Sequence, residues 1–513
     1  MEDTNGLLTV TAERLDAWIM DVLQPSTEFS DQVKWTTNQI CEFLKKDCFL
    51  KETNIHVNKT VKGGSSGKGT ALRNNSDADV VLFLSCFSSY QQQKQNRTGI
   101  LDLIKRRLDD CRQSLMFTVN ITEPRYKGPG NMPRSISLTL CSKVNSESTD
   151  VDILPAYDAL GQVRREDWLN PSLYEAAYVE LLRAKGSAGE FSPCFTELQK
   201  KFVKRYPAKL KSLLRLVKHW YKKRVKPRCH TKDLPPKYAL ELLTIYAWEQ
   251  GTGSNESFKM AEGFHTVLEL LCRPQEICIY WEAYYLLQHR EIGAHVKSLL
   301  RQSSCPIILD PADPTGILGQ GNRWDLVAQE AARDRLLPCV STAKPWAVQP
   351  AKPVTIEVKQ LSGTSLTKTV SPGTTINELK ETINQKWGIP WYMQRLAQQE
   401  SGMSSLILQD GNTLATYGIF YSTTLLLLQT EPQTMEVFVK DDKNRSTTYT
   451  VCPTDTVRQL KEQIHRRNGP HPDQLYLTYE SRPLEDRHTL ADYNIQPMST
   501  IFMLLRLRGG AGP

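Results

Sequence analysis

Two aspartates one residue apart stand directly before an apolar run in the first part of the chain. Asp77-Ala78-Asp79 leads into residues 80–84 (VVLFL). Residues two apart in a strand project from the same face, so both carboxylates would point the same way. Two carboxylates on one face destabilise each other's charged form unless a cation or a base neutralises them. The pair therefore predicts a chemical site at the beginning of a strand.

A third carboxylate is expected from a neighbouring strand. Segment 149–155 (TDVDILP) alternates acidic and apolar residues in the same way. Asp150 and Asp152 would share one face of that strand. Spacing alone leaves both as candidates for the third acid.

A glycine-rich segment, residues 63–70 (GGSSGKGT), precedes the acid pair. It is not a Walker A phosphate loop, because that motif needs Gly where Lys62 stands and Ser or Thr where Gly69 stands. Its Gly-Ser dipeptide upstream of an acidic strand favours a functional site over an isolated acidic turn.

Positive charge is concentrated in one part of the chain. The net charge is +8, but residues 200–228 hold thirteen Lys or Arg and no Asp or Glu. Within this stretch residues 209–221 are predicted to form a helix, with an apolar stripe of Leu210, Leu213, Leu214 and Val217. A solvated basic face is one interpretation, and a surface that binds a phosphate backbone is the other.

The bulk composition excludes several classes of protein. A length of 513 residues predicts three or four domains, and 40% apolar with 23% charged residues is typical of globular chains. The twelve cysteines form no Cys-x-x-Cys pair, which argues against a disulfide framework or a zinc site. The N-terminus is unlike a signal peptide, and no apolar run is long enough to span a bilayer. We expect a soluble intracellular protein.

The last third of the chain is an internal repeat that follows a proline-punctuated stretch, residues 338–353. At an offset of 81 the first copy matches the second at several positions: Val358 with Val439, Thr375 with Thr456, and Leu379 with Leu460. Later the offset is 76: Thr413 with Thr489, and Tyr417 with Tyr493. Each copy is predicted to form a hairpin followed by a helix on a small sheet.

The second copy resembles ubiquitin. Residues 435–510 match it down to Leu484-Glu485-Asp486 and the terminal run LRLRGG, and the first copy is a more distant ubiquitin-like domain. Of the three apolar positions through which ubiquitin binds most partners, two are occupied by Asp442 and Thr478, and Leu504 stays apolar. Receptors that need this patch are expected to bind weakly.

The segment before the repeat is similar to a known enzyme family. Gly-Ser, a spacer, an Asp-x-Asp strand and a third Asp resemble the polymerase-β-like nucleotidyltransferase superfamily. More narrowly, residues 5–340 resemble the 2′-5′-oligoadenylate synthetase family, and the closest stretches are 61–79, 151–161, 194–221, 234–249 and 306–315.

This resemblance implies an α+β architecture. We expect a polymerase-β-like nucleotidyltransferase core with a helical C-terminal lobe, followed by two β-grasp ubiquitin-like domains. The predicted boundaries are 1–340 for the nucleotidyltransferase unit, 341–353 for a linker, and 354–430 and 434–510 for the two ubiquitin-like domains.

The resemblance also implies a chemistry and its residues. The family pattern selects Asp152 as the third acid, so that Asp77, Asp79 and Asp152 would hold two Mg²⁺ ions for adenylate transfer from ATP. Backbone amides around Gly64 and Ser65 would form an anion nest for the triphosphate. The remaining ATP-binding positions carried over from the family are Lys218, Tyr238 and Lys237, the last of which stands where the family usually has Gln.

Duplex RNA is the expected activator. The positions that line the family's RNA groove are Lys45, Lys62, Lys68, Lys200, Lys204 and Lys209, while Asp47 replaces a residue that is commonly basic. A-form duplex hides its base edges, so recognition would be largely independent of sequence. The family's oligomerising Cys-Phe-Lys segment is absent near Cys339, which favours a monomer.

Two functions follow from these observations. The first is RNA-activated synthesis of 2′-5′-oligoadenylates in the innate antiviral response, in the cytoplasm and also in the nucleus. The second is an RNA-binding adaptor with vestigial catalysis that engages antiviral signalling proteins through its ubiquitin-like domains. Inactive members of the ubiquitin-tailed branch lack parts of the acid set, whereas all three acids are present here. Conjugation through Gly509-Gly510 would need removal of residues 511–513.

Overall fold

The chain divides into two compact units, Met1–Lys352 and Pro353–Pro513. The structure is a computed structural model, and it describes residues 6–116, 118–128, 132–162, 166–168, 170–231, 233–285, 287–399 and 405–505, with the backbone alone at 74 and 75. In these residues no helix is both long and apolar enough to cross a membrane.

The first half of unit 1 is built on a mixed sheet. In the described residues its strands are β1 (Val57–Gly63), β2 (Asn74–Leu84), β3 (Val119–Ile121), β4 (Arg125–Lys127), β5 (Ser135–Ser142) and β6 (Ser148–Ala156). They run in the order β1-β2-β6-β5-β3, and β4 also pairs with β5. Only β2 and β6 are parallel among these pairs.

Both faces of this sheet are covered by apolar side chains. The helices around it are α3 (Thr27–Lys46), α4 (Gly64–Lys68) and α5 (Tyr90–Leu115), and α1 (Gly6–Thr9) and α2 (Leu15–Trp18) precede them. Alternate residues of β2 enter different cores: Val80 and Leu82 pack with α3 and α5, and Val81 and Phe83 pack on the other face. Such near-continuous burial explains why the run 80–84 is apolar throughout.

The second half of unit 1 is a helical lobe. Its helices are α6 (Glu175–Arg183), α7 (Thr196–Lys204), α8 (Ala208–Trp220), α9 (Lys226–Arg228), α10 (Lys237–Thr252), α11 (Met260–Leu271), α12 (Ile292–Gln302) and α13 (Trp324–Asp334), with short strands β7 (Cys278–Ile279), β8 (Ile307–Asp310) and β9 (Asp313–Ile317). Short 3-10 or π turns lie at Ala12–Arg14, Ile19–Leu23, Pro171–Tyr174, Ser192–Phe195, Tyr221–Val225, Pro274–Glu276 and Glu282–Tyr284.

Helix α8 forms part of the hydrophobic core of this lobe. The predicted apolar stripe is fully buried, with Leu210, Leu213 and Leu214 at 0% exposure. The segment predicted as a linker, 341–353, also lies against the lobe: the Tyr246 hydroxyl donates to the carbonyl of Gln349, and Trp346 packs on α11. In this structure the segment up to Lys352 therefore belongs to unit 1.

Unit 2 contains two copies of one β-grasp topology. The first has β10 (Val354–Gln360), β11 (Ser365–Val370), α14 (Ile376–Trp387), β12 (Gln394–Gln398), β13 (Leu406–Ile407) and β14 (Thr423–Gln429). The second has β15 (Met435–Lys440), β16 (Ser446–Val451), α15 (Val457–Arg466), β17 (Leu475–Tyr479), β18 (Arg482–Pro483) and β19 (Thr500–Leu505). Short 3-10 turns lie at Trp391–Met393, Ala415–Tyr417, Pro472–Gln474 and Ala491–Tyr493.

The two copies share their strand order and their helix start. The orders are β11-β10-β14-β12-β13 and β16-β15-β19-β17-β18. Both helices begin with a capping box, Thr375 with Glu378 and Thr456 with Gln459. Trp391 of the first copy packs into the apolar cluster of the second. The fold class predicted from the sequence is confirmed.

Candidate active site

The three predicted catalytic acids lie on the neighbouring strands β2 and β6. In the parallel register Asp79 is opposite Asp152, and Asp77 is opposite Asp150. Asp77 and Asp79 share the face of Val81, and Ala78 is buried on the other face, as the alternation predicts. One parallel pairing therefore brings together acids that are separated by more than seventy positions in the sequence.

The surroundings of Asp150 and Asp152 distinguish the two candidates for the third acid. The Asp152 side chain is 12% exposed, whereas that of Asp150 is 38% exposed and accepts a hydrogen bond from the Thr139 hydroxyl (2.6 Å). Burial, followed by the charges of Asp77 and Asp152, raises the pKa of Asp79 to about 7. Of the two candidates for the third acid, Asp152 is thus the one whose charge acts on Asp79.

Asp77 is held by the glycine-rich segment. The Ser65 amide donates to Asp77 Oδ2 (3.1 Å), and the Ser65 hydroxyl lies 2.9 Å from Oδ1. Burial alone would raise the pKa of Asp77, but Lys237, Lys218 and the Ser65 hydrogen bond outweigh it and lower that pKa to about 2. A Cβ on Gly64, whose φ is +69°, would lie 2.7 Å from the Asp77 carbonyl oxygen, so only Gly fits.

In the structure one amide of the predicted triphosphate nest already has a partner. The Ser65 amide, expected to face the nucleotide, is occupied by a carboxylate of the protein. The physical reason is that an N–H group at the start of a helix is a good partner for any nearby anion, and Asp77 is the nearest. A triphosphate would have to compete with Asp77 for this donor.

Two lysines lie against the acids. The Lys127 ammonium donates to Asp152 Oδ2 at 2.5 Å, and Lys237 lies 3.6 Å from Asp77 Oδ1. The described residues contain no group of three His, Cys, Asp or Glu side chains already gathered around a common metal position. The donor set nevertheless fits a divalent cation, because Asp152 Oδ1 is buried without a hydrogen-bond partner and because burial, with the charges of Asp77 and Asp152, raises the pKa of Asp79.

Lys218 and Lys68 belong to a buried ionic cluster. Lys218 donates to the Thr70 carbonyl (2.5 Å) and lies 3.1 Å from Glu241, and Lys68 lies 3.3 Å from the same carboxylate. Burial would raise the pKa of Glu241, but the two lysines outweigh it and lower that pKa. The three side chains link the glycine-rich segment to α8 and α10.

The cluster contains two side chains for which the sequence predicts ligand contacts. Lys68, predicted to bind RNA, is 9% exposed, and its ammonium lies over the Tyr238 ring at 3.9 Å from the centroid. It faces the interior because Glu241 and Asp77 attract it there, so it is out of reach of a duplex in this arrangement. Lys218, expected at the cleft edge, is 3% exposed.

Tyr238, a predicted nucleotide contact, is anchored by its hydroxyl. That hydroxyl donates to Asp310 Oδ1 (3.0 Å), and burial followed by the charge of Asp310 raises the pKa of Tyr238 well above its usual value. Asp310 also accepts from Gln199 (2.6 Å). The hydroxyl is therefore engaged, and one face of the Tyr238 ring is covered by the Lys68 ammonium.

Four of the predicted RNA-binding lysines lie around the back of the glycine-rich segment. Lys45 and Lys62 both act on the Glu42 carboxylate, after Lys46. Burial, followed by the charges of Lys204, Lys201 and Lys62, lowers the pKa of Lys200. The Lys200 side chain passes beside Gly67. Lys209 is apart from this group and lies 3.5 Å from Asp16.

Sequence reasoning missed three residues of the site: Lys127, Glu241 and Asp310. Glu241 had a usable signal, because it is a single acid in the otherwise uncharged run 238–248 of a helix. A charge in such a run is expected to be buried with a partner. Lys127 and Asp310 had no comparable local signal.

On the second ubiquitin-like domain Leu504 is 47% exposed beside Phe502, also 47% exposed. Asp442 is exposed and Thr478 half-buried, so the apolar patch is interrupted where the sequence indicates. The predicted Gly509-Gly510 terminus lies outside the described residues.

Comparison with known proteins gives matches over most of the chain. The family described as "2'-5'-oligoadenylate synthetase 1, domain 2, C-terminus" matches residues 170–353, and the ubiquitin family matches 354–432 and 437–508. The chain is 40% identical over 512 residues to 2'-5'-oligoadenylate synthase-like protein 2 of Mus musculus, covering 98% of this chain and 99% of that protein. It is 39% identical to 2'-5'-oligoadenylate synthase-like protein 1 of Rattus norvegicus over 99% of this chain and 98% of that protein. It is 42% identical to 2'-5'-oligoadenylate synthase 1A of Mus musculus over 69% of this chain and 96% of that protein.

Proposed function

Because the chain belongs to the 2′-5′-oligoadenylate synthase family of nucleotidyltransferases, we propose that it joins adenylate units of ATP through 2′-5′ linkages and releases pyrophosphate. The observation that carries this proposal is the set of three acids on β2 and β6, with Asp79 and Asp152 opposite each other. An acid set this costly to bury is retained where its chemistry is used.

The chain's own residues supply distinct parts of the reaction. Asp77, Asp79 and Asp152 would hold two Mg²⁺ ions, which when bound lower the pKa of the attacking 2′-hydroxyl and offset charge on the triphosphate. The 2′-oxygen forms a bond to the α-phosphorus of ATP, and the bond from that phosphorus to pyrophosphate breaks. Asp152, whose Oδ1 has no other partner, would orient the 2′-hydroxyl and accept its proton.

Lys218 and Lys68 would stabilise the triphosphate. Both already share one carboxylate, Glu241, so the cluster carries a net positive charge under the glycine-rich segment. A buried positive charge beside the triphosphate would favour the developing charge on pyrophosphate. This requires the lysines to exchange part of their contact with Glu241 for phosphate oxygens.

Duplex RNA is the proposed activator. Lys62 and Lys200 lie beside the segment whose other end holds Asp77. Binding of phosphates at these lysines would therefore favour one arrangement of the segment over another. The coupling would make RNA an effector that is not consumed.

The test incubates purified full-length protein with ATP, Mg²⁺ and duplex RNA. Products are digested with a nuclease specific for 3′-5′ bonds, and the resistant oligomers are measured. We expect resistant oligomers from the wild type and none from Asp77→Ala, with RNA affinity unchanged. Resistant product from Asp77→Ala would refute the assigned site, and equal rates without RNA would refute the activation.

A second function is supported by a specific observation. Lys127, Lys237 and the Ser65 amide already satisfy carboxylate oxygens of Asp152 and Asp77. If these contacts persist with ATP present, the acids would not be available for catalysis. The protein would then act as an RNA-binding adaptor that engages its partners through the ubiquitin-like domains. Tight RNA binding without resistant product, in the wild type and in Lys237→Gln alike, would favour the adaptor.

Partners and compartment are part of the same proposal. All twelve cysteines are free in the structure, which supports a reducing compartment, the cytoplasm or the nucleus. Cys339 and Val340, near the place of the family's oligomerising segment, are fully buried, and this supports a monomer. Antiviral signalling proteins are the proposed partners of the ubiquitin-like domains, and the interrupted patch around Leu504 favours a surface other than the one most ubiquitin receptors use.

A further inference from the structure

A cavity of about 410 Å³ lies on the side of the sheet opposite the catalytic acids. Its floor includes Ser76, Ala78 and Thr149, which alternate along β2 and β6 with the acidic residues. Helix α3 forms one wall and the glycine-rich segment forms another. This volume falls in the range typical of small-molecule sites.

The walls of the cavity are partly apolar. Phe29 and Val33 of α3 are 3% and 7% exposed, and they present their side chains to the cavity next to Ala78. Gly67 forms part of the opposite wall, where a Cβ would lie 2.7 Å from the Lys62 carbonyl oxygen. An apolar body of moderate size therefore fits between α3 and the glycine-rich segment.

The charge around the cavity is unbalanced. Lys34, Lys62 and Arg215 line it, and Asp31 is the acid among the lining residues. Arg215 donates to the carbonyls of Gly69 (2.7 Å) and Ala71 (3.0 Å), and Lys62 donates to Asn38. In the described part of the chain none of the three cations forms an ion pair, and burial lowers the pKa of Arg215. An anionic group would relieve this imbalance.

A buried hydroxyl in the wall also lacks a partner. Thr37 lines the cavity and is 4% exposed, and its Oγ1 has no hydrogen-bond partner. Buried hydroxyls are almost always hydrogen-bonded, so an unpaired one beside a cavity points to a missing partner. The neighbouring Thr36, also buried, is satisfied by the Thr118 hydroxyl (3.4 Å).

We propose that this cavity is a binding site for a small amphipathic organic anion, an apolar body carrying one phosphate or sulfonate. The apolar body would lie on Phe29 and Val33, and the anionic group would lie among Lys34, Lys62 and Arg215. Such a ligand would restrain the glycine-rich segment, whose Ser65 holds Asp77 on the other side of the sheet. The site is thus distinct from the ATP site and placed to affect it.

The test titrates the full chain with 8-anilino-1-naphthalenesulfonate, excited directly, without ATP or RNA. Ser30→Trp, at an exposed lining position, should block the cavity and weaken binding about tenfold or more. Glu28→Trp, exposed on the same helix but outside the lining, is the matched control and should stay within about twofold. Equal affinities in the two variants would overturn the proposal.

Two further comparisons examine the chemistry of the site. N-phenyl-1-naphthylamine, which has the same rings without the sulfonate, should bind at least about tenfold more weakly, and equal binding would overturn the anion requirement. Thr37→Val should weaken the sulfonate about threefold, and Thr36→Val should leave it unchanged. An unchanged affinity in Thr37→Val would contradict the site as drawn. Because neither substrate nor RNA is present, these outcomes are independent of the proposed function.

Discussion

Substitution of Glu241 by Gln removes the one carboxylate shared by two buried lysines. The side chains of Glu241, Lys218 and Lys68 are 5%, 4% and 11% exposed, so water screens the cluster poorly. Glu241→Gln keeps the shape and one acceptor oxygen but removes the carboxylate with which both ammonium groups pair directly. Breaking a buried ion pair by removing one partner costs about 3–5 kcal/mol.

We expect the lower end of that range, about 3 kcal/mol, because Gln Oε1 can still accept one hydrogen bond. For a unit of the length of Met1–Lys352 the entropy of unfolding is about 0.7 kcal/mol/K. The Tm of unit 1 should therefore fall by about 4 °C. Lys68→Met should lower the free energy of unfolding by less, because Lys218 remains paired with Glu241.

Differential scanning calorimetry at neutral pH measures this change. Glu256→Gln, which removes an exposed carboxylate in the loop after α10, is the control and should shift the Tm by less than about 1 °C. If Glu241→Gln is no less stable than Glu256→Gln, the cluster does not depend on its counterion and the reasoning is refuted.

Four other substitutions test three separate parts of the structure. Asp79→Asn should raise the Tm in metal-free buffer, and the gain should be larger at about pH 8.5 than at about pH 5.5. With a pKa of about 7, Asp79 of the folded wild type is ionised only at the higher pH, where its charge destabilises the fold. An equal gain at both pH values would contradict the raised pKa. Burial, followed by the charges of nearby lysines, lowers the pKa of His219 to about 4. The free energy of unfolding should therefore decrease as the pH falls from 6.5 to 4, by at most about 3 kcal/mol. Urea unfolding of His219→Gln should lack this dependence on pH. Thr375→Ala and Thr456→Ala should each destabilise unit 2 by about 1 kcal/mol in urea unfolding, since each removes a helix cap, and no change in either would contradict the capping role.

The fold was accessible from the sequence where the signal is local or repeated. Thr375 and Thr456 occupy the same position in the two copies, and both begin a helix with a capping box. The alternation of Asp77, Ala78 and Asp79 was enough to place two acids on one face and a buried residue on the other. Periodicity and caps act within a few residues, so they can be recognised without tertiary information.

The positions of the basic side chains could not be predicted from local sequence patterns. Lys68 was expected on the RNA surface because the resemblance places it among the residues of the family's RNA groove, but its direction is set by Glu241, 173 residues away in the chain. Lys127 reaches Asp152 because β4 and β6 both pair with β5. A long flexible side chain turns toward the nearest opposite charge, and the position of that charge is set by tertiary packing.

The central claim is that Asp152, and not its neighbour two residues earlier, completes a catalytic acid set with Asp77 and Asp79. Asp152→Asn and Asp150→Asn differ in position alone, and the products each forms from ATP with Mg²⁺ and duplex RNA can be identified by ³¹P nuclear magnetic resonance. We expect 2′-5′ linkages from the wild type and from Asp150→Asn, and none from Asp152→Asn with RNA affinity retained. Synthesis by Asp152→Asn at the wild-type rate, or no 2′-5′ linkage from any of the three, would contradict it.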